Sequence, residues 1–147
     1  MKEWIKGIFI AAGSFTASLF GGFSTGLQVL LICMAVDYLS GMVLAGVFRK
    51  SRKTESGCLE SRAGFKGLIR KGMELAVVLV AAQIDRELGS HYVRDAACIG
   101  FMVNELISII ENAGLMGVPI PPVIRQAVEL LTEKTEHTIH PEEGESV

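Results

Sequence analysis

Four long apolar runs, separated by short polar stretches, dominate the chain. The clearest run covers residues 26–48, in which Asp37 is the single charged residue, and the others cover residues 7–23, 72–88 and 96–112. A helix needs about 20 apolar residues to cross the hydrocarbon core of a bilayer. The pattern therefore predicts an all-α membrane protein with three to four transmembrane helices, and the number depends on whether the first run spans.

The first run, residues 7–23, is the weakest of the four because it is rich in glycine, alanine and serine. It follows Lys2 and Lys6, as the apolar part of a signal peptide would. No convincing small-x-small cleavage site is followed by a soluble domain. An uncleaved, weakly hydrophobic membrane segment is therefore favoured over a surface-lying or cleaved one.

The stretch between the second and third runs, residues 49–71, is strongly basic and has only Glu55 and Glu60 as acids. In isolation its RKSRK sequence could contact nucleic acid, but apolar runs flank it and the net charge of the chain is −2. The positive-inside rule predicts a cytoplasmic loop that contacts anionic lipids rather than nucleic acid. Its basic residues are Arg49, Lys50, Arg52, Lys53, Arg62, Lys66, Arg70 and Lys71.

This basic loop sets the predicted topology, because it fixes one side of the membrane as the cytoplasm. If residues 7–23 span, the N-terminus is cytoplasmic; if they do not, the chain has three crossings and an external N-terminus. Residues 85–95 are external and the C-terminus is cytoplasmic in both cases.

A proline-rich segment at residues 119–122 separates the four apolar runs from a more polar C-terminal part. Residues 122–135 have an apolar side and are typical of an amphipathic helix. The acidic residues 136–147 are predicted to form a disordered tail. We expect residues 1–135 to be a single integral membrane domain.

A polar stripe runs along the fourth apolar segment. At about 100° per residue its five members fall within one arc of about 120°, and a charge at the bilayer centre costs about 2.5–3.5 kcal/mol. The stripe must therefore face protein or water. It could join the helices of one monomer, its last two members could lie at the headgroups with the helix closing at Gly114, or it could hold subunits together and line water after they rearrange. The members are Asn104, Glu105, Ser108, Glu111 and Asn112.

Asp37 is a second polar group inside an apolar run. Asp37, Gly41 and Ala45 recur every four residues on one helix face, and small residues at this spacing let helices approach closely. An acid at this depth is protonated or paired, for example with Asn104 on another helix. A proton relay is a weaker interpretation, because no base is evident inside the apolar runs.

The chain offers little enzyme chemistry. Half of its residues are hydrophobic, and Cys33, Cys58 and Cys98 are too widely spaced for a CxxC zinc or redox site. His137 and His140 lie in the acidic tail without further metal ligands. We therefore expect no enzymatic activity, no catalytic residues, no cofactor and no metal site.

Three stretches in order resemble the phage holins of the toxin-secretion and lysis type, a group that includes the clostridial toxin-release holin. VDYLSGM (36–42) is similar to an Asp-x-x-Ser/Thr-Gly motif in a membrane helix, and ESRAGFKGLIRK (60–71) is similar to the loop before the next helix. The most specific stretch is NELISIIENAGLMGVPIPP (104–122). The resemblance covers roughly residues 25–132.

The resemblance implies a multi-pass homo-oligomer of the bacterial cytoplasmic membrane. Such a protein forms timed lesions that let an endolysin reach the cell wall, or a large toxin leave the cell. The endolysin would be a functional rather than a physical partner, and an antiholin could be a physical one. The alternative is that this chain is itself an antiholin or a membrane adaptor, which regulates a holin without forming a pore.

Overall fold

The structure, a computed structural model, describes residues 2–139, with side chains described to residue 133. Every regular element in that range is helical, which confirms the predicted all-α class. Residues 136–139 continue the last helix, whereas residues 140–147 of the predicted acidic tail lie outside the described residues. The helices are α1 (Lys2–Leu19), α2 (Thr25–Val43), α3 (Ser61–Leu88), α4 (Tyr92–Leu115) and α5 (Pro122–Ile139).

The segment from α2 to the basic stretch is the clearest candidate for a membrane span. The Ser24 hydroxyl accepts the Leu27 N–H at 3.3 Å and begins α2, and a π-helical turn, Leu44–Phe48, extends it. Left-handed backbone at Arg49 (φ 52°) then ends the helix. Among the described residues, Thr25–Phe48 is the single segment that is long and apolar enough to cross a membrane, and it has 24 residues. The predicted count of three to four spans is therefore not confirmed.

Helices α2, α3 and α4 pack together into a bundle. Its apolar core lies near the α3–α4 turn and includes the fully buried side chains of Leu30, Val78 and Cys98. The buried residues of α3, Glu74, Val78, Ala81, Ala82 and Asp85, recur every three or four positions. This spacing places them on one face of the helix, which is turned toward α2 and α4.

The turn between α3 and α4 is held by one carboxylate. Asp85 accepts hydrogen bonds from the Ser90 hydroxyl (2.6 Å) and from the N–H groups of Val93 (3.1 Å) and Arg94 (2.8 Å). It thereby satisfies N–H groups that the start of α4 would leave without partners. The turn is shorter than the predicted external segment 85–95, because α3 continues to Leu88 and α4 begins at Tyr92.

Arg94 connects this turn to the α1–α2 connection. Its buried guanidinium donates to the carbonyl oxygens of Phe20 (3.2 Å) and Gly21 (3.0 Å) and pairs with Asp95 at 3.1 Å. A side-chain amide of Gln83 also donates to the Leu19 carbonyl. These contacts fix the end of α1, but no residue within α1 itself is buried.

The basic stretch is only partly a loop. Residues 50–60 form turns, in which Ser51 N–H donates to the Gly57 carbonyl at 3.0 Å. A Cβ at Gly57 would lie 2.4 Å from the Arg49 carbonyl oxygen, so the turn requires glycine. From Ser61 onward the chain is helical, ten residues before the predicted loop ends at 71. The positive-inside rule concerns where charge lies and does not decide whether the backbone is helical.

Helix α4 ends later than the expected closure at Gly114. It continues to Leu115, and the chain turns at Gly117 (φ 86°) with Val118 N–H donating to the Ala113 carbonyl at 3.0 Å. A short connection then leads into α5, which begins at Pro122 as predicted and packs beside α4.

Candidate functional site: a buried ion-pair network

One lysine joins the three bundle helices. The Lys71 ammonium of α3 lies 2.8 Å from an Asp37 carboxylate oxygen of α2 and 2.5 Å from a Glu105 carboxylate oxygen of α4. The three side chains are 12%, 6% and 4% exposed, respectively. Because each helix contributes one charge, the bundle cannot separate without breaking an ion pair.

Asn112 extends the network along α4. Its side-chain amide donates to the Ser40 hydroxyl at 2.9 Å and to the second Asp37 carboxylate oxygen at 3.3 Å. The Ser40 hydroxyl in turn donates to the Asp37 backbone carbonyl at 3.0 Å. Both carboxylate oxygens of Asp37 therefore have partners, one from α3 and one from α4. We call Asp37, Lys71, Glu105 and Asn112 the polar network.

An intact buried ion pair and one that has lost a partner differ greatly in their effect on stability. Desolvation offsets most of the attraction within a buried ion pair, so the pair contributes little net stability compared with apolar side chains of similar size. Removing one partner is different, because it leaves a buried charge and costs about 3–5 kcal/mol. Intact, the polar network therefore adds little net stability, whereas a bundle that lost one of its charges would be destabilised.

A pocket of about 370 Å³ opens beside the polar network. Its floor includes Asp37, Lys71, Glu74 and Glu105, and the basic side chains of Lys53, Lys66 and Arg70 also line it. Glu74 is 7% exposed, and one of its carboxylate oxygens is buried with no hydrogen-bond partner among the described residues. The pocket is thus lined both by buried acidic groups and by the exposed basic side chains of Lys53, Lys66 and Arg70.

The sequence matches the model of a known protein family. The model of the bacteriophage holin family matches residues 14–133.

The chain belongs to the bacteriophage holin family.

Curated relatives of this holin-family chain are similar over most of their length. An uncharacterised protein of Halalkalibacterium halodurans is 37% identical over 137 residues, which cover 89% of this chain and 93% of that protein. An uncharacterised 14.9 kDa protein in the nagH 3' region of Clostridium perfringens is 35% identical, with 90% and 96% coverage. An uncharacterised protein of Listeria monocytogenes is 34% identical, with 92% and 91% coverage.

No solved structure matches the chain. The family match confirms the resemblance drawn from the three sequence motifs. Together with the apolar segment Thr25–Phe48, membership of the holin family indicates a membrane protein. The holin family is not a family of enzymes.

The structure of this holin-family chain brings several of the predicted site residues together. Asp37, Glu105 and Asn112 join the polar network, and the pocket beside it also has Gly41, Ala45, Asn104 and Ser108 in its wall. Glu111 is exposed and lies apart from the network, next to α5. The stripe therefore divides, with two members buried between helices and Asn104 and Glu111 exposed.

The predicted basic residues also separate into two groups. Arg70 and Lys71 lie in the third turn of α3 rather than in a loop, and Lys71 is largely buried whereas Arg70 is exposed. Lys53 lines the pocket. Arg49, Lys50 and Arg52 are exposed outside it.

The partners of Asp37 differ from the expectation. Asp37 contacts Lys71 and Asn112, and not Asn104, which is exposed. The sequence contained a signal for this arrangement, because Lys71 and Glu74 continue the three-to-four residue spacing of the buried α3 positions. The base that pairs with Asp37 is Lys71, which lies outside the apolar runs, one residue before the third.

Sequence reasoning also missed the contacts at the α3–α4 turn. The sequence pattern predicts that Asp85 and Arg94 lie in a short external segment, yet both are buried and make several hydrogen bonds. A buried Asp in the last turn of one helix and a buried Arg in the first turn of the next give no periodic pattern in the sequence. Only the pairing of the two helices brings them into contact.

Proposed function

We propose that this protein is a holin that oligomerises in the bacterial cytoplasmic membrane and forms timed lesions, through which an endolysin or a large toxin passes. The observation that carries the proposal is the polar network in which Lys71 joins Asp37 and Glu105 across three helices. A timed lesion needs two arrangements of the same helices, and a buried network provides polar groups that can serve in both.

In the first arrangement, the polar groups satisfy one another inside the bundle. The outer faces of α2, α3 and α4 present apolar side chains such as Ile32, Leu39, Val77 and Ile99, which suit contact with lipid. In the second arrangement, the helices separate, and Asp37, Lys71 and Glu105 need new partners. Water and polar groups of neighbouring subunits would satisfy them, because lipid cannot. This requirement favours assembly around a water-filled opening.

The proposed topology is multi-pass. Helix α4 has 24 residues, which at 1.5 Å per residue exceed the roughly 30 Å of a bilayer core. The part of α3 after Lys71, residues 72–88, has about 17 residues, which is the lower limit for a membrane span. We propose that α2, α3 and α4 cross the membrane and that the basic residues 49–71 and the C-terminus are cytoplasmic. Helix α1, with 18 residues and both Lys2 and Lys6 near its start, would be a fourth crossing or lie at the surface.

Inducible expression in a bacterium tests the proposal, with membrane potential and cell density followed together. We expect sudden depolarisation after a delay, and lysis only when a cytoplasmic endolysin is produced as well. Depolarisation without endolysin-dependent lysis would limit the lesion to small solutes and contradict passage of protein. Confirmed membrane insertion without depolarisation would contradict the proposed pore altogether.

A second candidate function is regulation of a partner holin, as an antiholin or membrane adaptor. The observation in its favour is α5, which borders a groove of about 530 Å³ against Ile107 and Ile110 of α4 and exposes Val123 and Leu130. Deleting residues 122–147 separates the two candidates. Loss of all activity would favour the adaptor, whereas altered timing with lysis retained would favour a pore with a regulatory C-terminal helix.

A further inference from the structure

Helix α3 carries one continuous strip of exposed side chains that changes from basic to apolar along the helix. At about 100° per residue the members of the strip fall within one arc of about 80°, and every one of them is exposed. No acidic residue lies in this arc. We call these residues the α3 strip, and in chain order they are Arg62, Lys66, Arg70, Met73, Val77, Val80, Ile84 and Leu88.

The basic side chains of the α3 strip have no protein partner. None of the three forms an ion pair or a side-chain hydrogen bond with another side chain that the structure describes. The carboxylates of the neighbouring pocket do not neutralise them, because Asp37 and Glu105 pair with Lys71 and Glu74 lies on the buried face of α3. Three positive charges, spaced four residues apart, are therefore free to bind an anion.

The strip changes from basic to apolar at the proposed edge of the membrane. The third apolar run begins at residue 72, shortly after Arg70. Arg70 and Val80 are about 15 Å apart along the helix axis, which is half of the roughly 30 Å bilayer core. The basic part of the strip therefore lies at the level of lipid headgroups, and the part from Met73 to Val80 lies at the level of the acyl chains of one leaflet.

An anionic phospholipid has its chemical groups in the same order as the strip. Its phosphate accepts charge-assisted hydrogen bonds from lysine and arginine, and its acyl chains suit an exposed apolar helix face. A zwitterionic lipid carries an ammonium beside its phosphate, which the three basic residues would repel. A soluble anion would use only the basic part and leave Met73, Val77 and Val80 without a contact.

We propose that the α3 strip binds one anionic phospholipid of the inner leaflet, with its phosphate between Lys66 and Arg70 and an acyl chain along Met73, Val77 and Val80. The site rests on the proposed topology, in which residues 72–88 cross the membrane from the cytoplasmic side, but it does not depend on lesion formation. Because a ligand stabilises the state to which it binds, bound lipid stabilises the protein with α3 in the membrane.

Native mass spectrometry of the purified full-length protein in a mild detergent tests the site. The probes are phosphatidylglycerol and phosphatidylcholine with identical acyl chains. A basic residue near an anionic lipid contributes about fivefold to binding, so we expect one phosphatidylglycerol to bind per chain at least about tenfold more tightly than phosphatidylcholine. Equal binding of the two lipids would overturn the proposal.

Two triple variants with the same loss of charge distinguish a site from general attraction. The first replaces the basic part of the α3 strip: Arg62→Gln, Lys66→Gln and Arg70→Gln. The second replaces three exposed cations of the preceding connection: Arg49→Gln, Lys50→Gln and Arg52→Gln. The first should lower the affinity for phosphatidylglycerol about 100-fold and the second less than about fivefold. Equal losses would mean attraction by net charge alone and would overturn the site.

Two competitors identify the source of the anion. Glycerophosphoglycerol, the headgroup without acyl chains, should not displace phosphatidylglycerol at equal concentration, because it cannot contact the apolar part of the strip. Equal competition would assign the basic residues to a soluble phosphate ester. A short duplex RNA that bound more tightly than the lipid would make this a nucleic-acid surface. Either result would overturn the proposal.

A single variant keeps the test decisive if the triple variant does not accumulate. Arg70→Gln alone should lower the affinity for phosphatidylglycerol about fivefold, and an unchanged affinity would count against the site. Because the readout does not involve lysis, the site and the proposed holin function fail separately. Selective lipid binding without depolarisation would support the site and contradict the pore, whereas depolarisation without selective lipid binding would contradict the site alone.

Discussion

Helix α1 and the α2–α4 bundle are both apolar in sequence, yet they differ in how they pack. Every bundle helix has buried residues, among them charged ones. Helix α1 has none, and its large side chains such as Trp4, Phe9 and Phe15 are exposed. Apolar surface alone does not hold helices together in lipid, because lipid tails are equally apolar. The comparison indicates that polar partners specify which helices of this protein pack together.

The contacts of α1 support the same conclusion. Hydrogen bonds from Gln83 and Arg94 to the carbonyl oxygens of Leu19, Phe20 and Gly21 attach the α1–α2 connection to the bundle. Along the rest of α1 the polar contacts of the described side chains stay within the helix: Lys6 pairs with Glu3, and the Thr16 and Ser18 hydroxyls donate to the Ala12 and Phe15 carbonyl oxygens. The surface of α1 is therefore largely exposed.

The largest effect is expected from Lys71→Met. The change leaves Asp37 and Glu105 buried without a counter-charge, and we expect it to lower the free energy of unfolding by about 3–5 kcal/mol. Thermal unfolding of the purified protein in detergent measures the loss. Lys66→Met, an exposed position on the same helix, should change stability by less than about 0.5 kcal/mol. Equal effects of the two variants would contradict the role of the network.

A smaller effect is expected from Glu105→Leu, which can be compared with the neighbouring Asn104→Leu. Without Glu105, Lys71 still pairs with Asp37, so we expect a loss of about 1–3 kcal/mol. Asn104 is exposed, and its replacement should be neutral to within about 0.5 kcal/mol. Chemical unfolding of both variants side by side provides the measurement. A larger effect at Asn104 would show that the stripe packs in the opposite orientation.

Arg94→Met tests the attachment of the α1–α2 connection to the bundle. It removes the donors to the Phe20 and Gly21 carbonyl oxygens, and hydrogen bonds from a charged donor contribute about 1.5–3 kcal/mol. We expect faster amide hydrogen exchange at residues 19–24, with exchange in α4 beyond residue 103 little changed. Unchanged exchange at residues 19–24 would mean that other contacts hold this connection.

The smallest effect is expected within α1. Phe9 is 74% exposed, so Phe9→Ala should change the stability of the bundle by less than about 0.5 kcal/mol. Leu30→Ala, at a fully buried position of α2, serves as the contrasting variant and should cost about 2–5 kcal/mol. Thermal unfolding of both variants checks the comparison. A loss at Phe9 as large as that at Leu30 would show that α1 is part of the core.

The sequence pattern was sufficient for the helical class and for a helix that begins at Pro122. It also singled out Asp37 and Glu105 as polar groups within apolar runs. The pattern did not predict which residues pair with Asp37 and Glu105. Lys71 lies in a stretch rich in basic residues, which predicts a loop. Its spacing from the buried α3 positions places it on the buried face of that helix, and this second signal was outweighed by the first. The contacts of Asp85 and Arg94 form only when neighbouring elements pack together, so the sequence of one helix alone does not predict them.

The most direct test of the central claim, that the Asp37–Lys71 pair holds the bundle closed until triggering, is the lysis time of a charge exchange. Asp37→Lys and Lys71→Asp are made singly and combined, all in a Glu105→Gln background, because a carboxylate at position 71 would otherwise face the Glu105 carboxylate. Each variant is expressed with an endolysin at matched membrane levels. We predict that each single variant triggers early, because like charges then face each other, and that the double variant returns toward the normal delay. Single variants with normal timing, or a double variant no better than the worse single one, would contradict the claim.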